Sequence, residues 1–204
     1  MGKKGFTILK VKLGEDIEMD LVRMKTIRGA VGSSIALRID ANQGWSVKDA
    51  IRIIPELEKL GVGLIEQPIA AWNLEGLREI RQAVRLPIAA DESCHLPVDA
   101  FRLAALRAVD VINIKLMKCD GIYNALKINA IAEAAGIGCM IGCMGESSLA
   151  NVAGMHVAAA LDNICEVDLD AVYLLDAGRI HGGFDHVGGQ ATLWNTPGIG
   201  VVID

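Results

Sequence analysis

Aromatic residues are scarce in this 204-residue chain: three Phe, two Tyr and three Trp, 4% in all. Ala, Ile, Leu, Val and Gly must fill the core, which suits parallel strands with helices covering both sheet faces. An excess of positive charge is missing too. Lys and Arg number 20 against 25 Asp and Glu, a net charge of −5 with no basic block, so a general affinity for nucleic acid or anionic membranes is not expected. Long apolar runs are absent. The longest nearly apolar stretch, 134–145, is well short of the roughly 20 residues a membrane helix needs, and the first six residues lack the apolar centre of a signal peptide. A cytoplasmic protein without membrane partners is expected. Metal-binding cysteine and histidine patterns are lacking as well. Cys94, Cys119, Cys139, Cys143 and Cys165 form no Cys-x-x-Cys pair, and an odd count of five reads as buried reduced thiols. His95, His156, His181 and His186 have no ligand spacing and read as loop or surface residues. No Gly-x-Gly-x-x-Gly follows the first strand-like run, which argues against a dinucleotide fold.

What is present is a ladder. Three acidic residues, Asp40, Glu66 and Asp91, each close a short apolar run, and Lys115 closes the next, at spacings of 26, 25 and 24 residues. One strand, one helix and two loops take about that many residues. Strand-like runs cover 7–12, 35–40, 63–66, 88–91, 111–115, 138–142 and 164–168. Helical apolar spacing fills 16–31, 46–60, 74–84, 97–108, 122–135 and 149–161. In the second of these helices Ser46 is the expected N-cap, Ile51, Ile54, Leu57 and Leu60 mark the buried face, and Gly61 ends it. In the first, Ile17, Met19, Leu21, Val22, Met24 and Ile27 are the apolar positions. Strict alternation predicts an α/β fold with a parallel sheet and right-handed crossovers. Charged residues at four consecutive strand ends favour a TIM-type (β/α) barrel over a doubly wound sheet. A full barrel has eight strands and about 250 residues, so an incomplete barrel of about seven strands is predicted. It forms one domain over 1–204, with a Gly-rich, loop-rich tail at 175–204 that reads as loops and short extended pieces.

Three carboxylates converging on one mouth suit a hard divalent cation. Such a metal, held near a substrate carboxylate, favours removal of the neighbouring proton. The base needs a lowered pKa, and a lysine close to another cation has one. Lys10 and Lys12, two apart on the first strand, point to the same side. Lys115, four strands on in a ring, would approach a bound carbon from the other face, and bases on two faces are what an epimerase or racemase needs. Taken alone, Lys115 also fits a Schiff-base lysine of an aldolase-like barrel, and Lys10 fits a solvent-facing strand residue. Glu92 and Ser93 are expected to support Asp91, and Trp45 is expected to pack.

The strings Lys10-Val-Lys12, Ile39-Asp40-Ala-Asn42-Gln-Gly-Trp45, Ile65-Glu66-Gln67-Pro68, Ala90-Asp91-Glu92-Ser93 and Asn113-Ile-Lys115 run in register along most of the chain. Together they resemble the enolase superfamily, in its muconate-lactonizing and mandelate racemase branch. That resemblance implies Mg2+ at Asp40, Glu66 and Asp91, acid/base roles for Lys12 and Lys115, and Lys10 as an electrostatic partner. Asp168-Leu-Asp170 is similar to the Asp-x-Asp of dipeptide epimerases, including L-Ala-D/L-Glu epimerases, and implies that Asp168 and Asp170 hold a dipeptide's ammonium group; capping of the final turn is the plainer reading. The run Ile141-Gly-Cys-Met-Gly-Glu146 also looks like that group. The resemblance implies a Mg2+-dependent isomerase acting on a small carboxylate substrate through an enolate. Members carry an N-terminal capping domain and a first barrel strand before Lys-x-Lys, and neither is seen here. The alternatives are a catalytically silent truncated barrel serving as a folding or assembly unit, or a lyase like muconate cycloisomerase or o-succinylbenzoate synthase. Open sheet edges in an incomplete barrel predict a homo-oligomer.

Overall fold

The structure is a computed structural model, and it describes residues 5–175 and 180–204. Of the predicted loop-rich tail, 176–179, including Gly178, lie outside the described residues. The chain forms two compact units, Met1–Cys94 with Arg102–Val111, and His95–Phe101 with Ile112–Asp204.

The first unit alternates strand and helix as predicted. Its elements are β1 (Ile8–Lys12), α1 (Ile17–Val31), β2 (Ala36–Asp40), α2 (Val47–Lys59), β3 (Val62–Glu66), α3 (Leu74–Ala83) and β4 (Ile88–Ala90). Each strand pairs in parallel with the next. Near-continuous apolar runs let the strands bury both faces: Leu37, Ile39, Ile65 and Ile88 are at most 1% exposed. Helix α2 starts where Ser46 Oγ accepts from Asp49 N at 3.1 Å. It buries Ala50, Ile53, Ile54 and Leu57, so Ile53 replaces the predicted Ile51 and Leu60, which stay half-exposed. The predicted stripe on α1 narrows further. Met24 is buried, but Met19 and Val22 are 61% and 54% exposed, because Asp20 and Met24, one turn apart, form the inward face.

Asp20 explains that rotation. It is fully buried, and its carboxylate accepts from Gly14 N at 2.9 Å, Trp45 Nε1 at 3.0 Å and Arg23 Nη1 at 3.2 Å. The loop after β1 is thereby tied to the loop after β2, and Trp45 is a packed residue with its indole N–H satisfied. The two loops also touch backbone to backbone: a Cβ on Gly44 would overlap the Gly14 carbonyl, and Gly14 has φ +107°. Gly44→Ala is therefore expected to destabilise the chain by roughly 1–3 kcal/mol, read as a lower thermal midpoint. An unchanged midpoint would mean that the loops part without cost.

Helix α4 (Pro97–Leu106) contributes residues to both units. The second unit continues with β5 (Val111–Lys115), α5 (Ile122–Ala134), β6 (Gly138–Gly142), α6 (Ser148–Ala160) and β7 (Ile164–Asp168), followed by a 3-10 turn over Asp170–Tyr173. Strands β5, β6 and β7 are neighbours in that order, and β6 pairs with β7 in parallel. Ile128, Ala132, Met140, Ile141 and Val152 make its apolar interior. The tail holds short extended pieces, as its composition suggests, and they pair. Strand β8 (Ile180–Gly182) pairs antiparallel with β11 (Val201–Ile203), and β9 (Phe184–Val187) with β10 (Gln190–Leu193). Strands of three or four residues are too short to show a periodicity. Cys94, Cys119 and Cys139 are buried as expected, while Cys143 is half-buried and Cys165 exposed. Among the described residues, no helix is long and apolar enough to cross a membrane.

Candidate metal centre and acid/base groups

Parallel pairing sets the first unit's charged residues side by side. Lys12 is the register partner of Asp40, and Asp40 of Glu66, so one row of the sheet carries a lysine and two carboxylates. Asp91 lies just past β4 rather than within the strand predicted for 88–91. Its backbone N–H donates 2.9 Å to Gln67 Oε1, a side-chain partner that turns the chain out of the sheet. The three carboxylates converge. Asp40, Glu66 and Asp91 each offer an oxygen, all within 4.8 Å of one another, and the residues are 0%, 1% and 2% exposed.

Both lysines of β1 reach this cluster. Lys10 Nζ is 2.8 Å from Glu66 Oε2 and 3.4 Å from Asp40 Oδ2. Lys12 Nζ donates to Asp40 Oδ2 at 2.6 Å. The two ammonium groups thus share one carboxylate oxygen, and their i, i+2 spacing puts them on one face. The Lys12 side chain is 62% exposed and that of Lys10 only 16%. Lys12 is therefore the one open to a solvent-borne molecule, and Lys10 the inner counter-charge. Asp40 Oδ1 also accepts from Asn42 N at 2.9 Å, and Asn42 Nδ2 donates 3.3 Å to Glu92 Oε1.

Burial pushes the Glu66 carboxyl up to about 7; the Lys10 ammonium opposes this, and the charges of Asp40 and Asp91 add to it. A carboxyl whose pKa rises on folding stabilises the fold below its unfolded value of about 4.5 and loses that contribution as pH climbs through about 7. The metal-free chain is expected to weaken across that interval, by at most about 1.4 kcal/mol per pH unit for one proton. Millimolar Mg2+ at pH 8 should recover the loss. Thermal melts at pH 5 and 8 test this, and a midpoint independent of pH and Mg2+ would contradict it.

The donor set fits a hard divalent ion. Three close, buried carboxylates offer only oxygen, which suits Mg2+, an ion that takes one or a few carboxylates and keeps positions for water or substrate. Soft ions would favour sulfur or imidazole.

In the second unit Lys115 ends β5 and is 8% exposed, with its carbonyl accepting from Lys118 N and Cys119 N as the chain turns. Asp168 ends β7, paired in register with Gly142. Asp170 is exposed inside the 3-10 turn. The turn's N-cap is Leu169, without a side-chain cap bond, so Asp170 does not play the capping part that is the plainer reading of its position. The Cys143 thiol lies 3.4 Å from Asp168 O and 3.5 Å from Asp170 Oδ1. Burial above all pushes that thiol up to about 11, so it stays protonated and donates.

Two residues escaped the sequence reading. Asp20 looked like an ordinary polar position in a helix. Gln67 follows Glu66 directly, and the only sequence signal is a polar side chain past the end of an apolar strand, where a solvated loop is the default expectation. His156 also differs from its expected loop or surface place, since it lies in α6 and is only half-exposed.

This architecture is that of a known family. The family model for enolase C-terminal domain-like proteins matches residues 1–204, and the chain belongs to that family and shares its α/β barrel fold. An L-Ala-D/L-Glu epimerase of Clostridium acetobutylicum is 46% identical over 201 residues, 98% of this chain and 56% of that protein. The Bacillus subtilis L-Ala-D/L-Glu epimerase, in a substrate-liganded complex, superposes with a TM-score of 0.95 at 44% identity, covering 98% of this chain and 56% of that one. A dipeptide epimerase of Enterococcus faecalis, crystallised with Mg and the dipeptide L-Leu-L-Tyr, gives 0.94 at 47% identity, covering 98% and 57%. The chain thus spans a little over half the length of these relatives.

Proposed function

We propose that this chain carries the metal and acid/base groups of a Mg2+-dependent dipeptide epimerase. The observation that carries this reading is the buried carboxylate trio with two lysines of one strand pointed at it. Asp40, Glu66 and Asp91 would hold Mg2+. When bound there, Mg2+ supplies positive charge to a substrate carboxylate and steadies the negative charge that builds on it. Lys12, in its neutral form, takes the proton from the carbon next to that carboxylate, and the C–H electron pair moves into the carboxylate system to give an enolate. Lys115, as its ammonium form, returns a proton to the other face; in the reverse direction the two exchange roles. Lys10, held against Glu66 and Asp40, is the electrostatic partner beside Lys12. Asp168 and Asp170 would pair with the ammonium end of the dipeptide, and the Cys143 thiol would orient the Asp170 carboxylate.

The relatives support the class, while the pairing of side chains in the substrate is read only from Asp168 and Asp170. The alternative is a catalytically silent barrel that serves as a folding or assembly unit. Dipeptides incubated with the chain and Mg2+ in D2O, followed by NMR, separate the two. Loss of the α-proton signal, with appearance of the epimer, is expected; no exchange across a dipeptide library with metal bound would favour the silent barrel. A reducing cytoplasm fits thiols that form no disulfide among the described residues. We also expect a homo-oligomer, since among the described residues β1 pairs only with β2 and an open edge invites association. Analytical ultracentrifugation showing a stable monomer would overturn that.

A further inference from the structure

Gln67 is fully buried and stands in the left-handed backbone region, with φ +35°. A non-glycine residue there is held by its surroundings against strain of order 1–3 kcal/mol. The surroundings here are specific. Its backbone N–H donates 2.8 Å to Ala89 O, and its carbonyl accepts from Gln43 N at 2.8 Å. All four hydrogen-bonding capacities that matter on its amide are used as well. Oε1 accepts from Asp91 N at 2.9 Å and Ser93 N at 3.0 Å. Nε2 donates to Ile69 O and to Ser93 Oγ, both at 2.9 Å. Ser93 Oγ in turn donates 2.9 Å to Ala71 O.

One amide therefore spans two strand ends. On one side it follows Glu66 directly; on the other it holds the backbone nitrogen of Asp91 and of the residue two further on. No hydrogen bond of a regular ladder could do this, because Asp91 has already left β4. The Asp91 turn is tied to the end of β3 by a side chain that is not itself one of the three carboxylates. Groups that orient ligands in this way commonly change metal affinity 10–100-fold when lost.

We infer that Gln67 is a positioning residue that sets the metal affinity of the carboxylate cluster by bracing the Asp91 turn against the end of β3. This rests on the reading of Asp40, Glu66 and Asp91 as the Mg2+ ligands. The test is isothermal titration of Mg2+ into the parent chain and into Gln67→Met, which keeps length and apolar volume but removes the acceptor and the donors. Far-UV circular dichroism and a thermal melt report folding of each. The expected result is a folded variant whose Mg2+ Kd is raised at least about tenfold.

A variant with a lower midpoint but an unchanged Kd would overturn the inference, because it would show a structural role alone. A parent that binds no Mg2+ would overturn the proposed function and this inference with it, whereas equal binding by parent and variant sinks the inference only. If Gln67→Met does not fold, Ser93→Ala decides. It removes one of the two partners of Nε2 while leaving the Asp91 N–H bond in place, and it should raise Kd by about threefold, an intermediate loss between none and the full effect. An unchanged Kd there would count against the bracing role. Gln67→Glu gives a further readout: it keeps an acceptor for Asp91 N and Ser93 N, so it should bind Mg2+ more tightly than Gln67→Met, and a Kd no better than that of Met would contradict the geometry.

Discussion

Glu66→Gln is expected to lose Mg2+ binding and yet to melt higher than the parent at pH 8 in the absence of metal. The two effects have one origin. Burial and the nearby charges of Asp40 and Asp91 disfavour the ionised carboxylate at position 66, raising its pKa to about 7. A glutamine has the shape of the protonated acid, so above pH 7 the variant avoids a penalty that the parent carries. The shift from 4.5 to about 7 puts an upper figure of roughly 3 kcal/mol on the gain. Below pH 4.5 the parent is itself protonated there in both states, and the two should melt alike. In the metal-bound state the order reverses, since the variant offers a neutral oxygen where a charged one is needed. Differential scanning calorimetry at pH 4 and pH 8, with and without Mg2+, reads all four cases. A variant less stable than the parent at pH 8 without metal would mean that the Lys10 ion pair at 2.8 Å outweighs the repulsion, and the account of the site's electrostatics would be wrong.

The second large effect separates the two lysines. With Lys12→Ala, exchange of the α-proton in D2O should fall by about a hundredfold or more for one epimer of a dipeptide, the scale of general acid–base catalysis, while the other epimer still exchanges its proton. Lys115→Ala should show the mirror pattern. The comparison within one variant matters more than the total rate, because loss of fold or of metal lowers both epimers together. Equal loss for both epimers in both variants would argue against a two-base scheme. Mg2+ titration of each variant checks that the carboxylate cluster is intact. Lys12→Ala removes a partner of Asp40 Oδ2 and so should, if anything, leave that oxygen more available to the metal.

Most of what positions the site could be read from the chain. Apolar runs ending in a charge mark strands whose last residue meets solvent or a ligand, and 24- to 26-residue spacing fixes their parallel order. Asp40, Glu66 and Asp91 were found this way, as were the two lysines of β1. What escaped was held by neutral or hidden partners. Gln67 braces Asp91 through an amide, which leaves no charge to notice. Asp20 joins two loops from a helix position that reads as polar and solvent-facing, and only its contacts with Gly14 and Trp45 reveal it. Asp91 lies one residue outside its strand because a side chain replaces the ladder, an effect of tertiary position that no local pattern carries. The tail reads as loops and short extended pieces, and what its composition does not carry is the pairing: Ile180–Gly182 takes Val201–Ile203 as its partner, far along the chain.

The row of register partners Lys12, Asp40 and Glu66 has a consequence for how the chain assembles. A slip of one residue between β1 and β2 would turn every side chain of the slipped strand to the opposite face. Val11 or Leu13 would then stand where Lys12 should, and a buried carboxylate would lose its partner. The arrangement that serves the chemistry is thus also a check on strand alignment: a misaligned sheet would bury Asp40 against a hydrocarbon neighbour and bind no metal. Divalent-ion binding during refolding would report which fraction of molecules has joined its first two strands correctly, before any substrate is added.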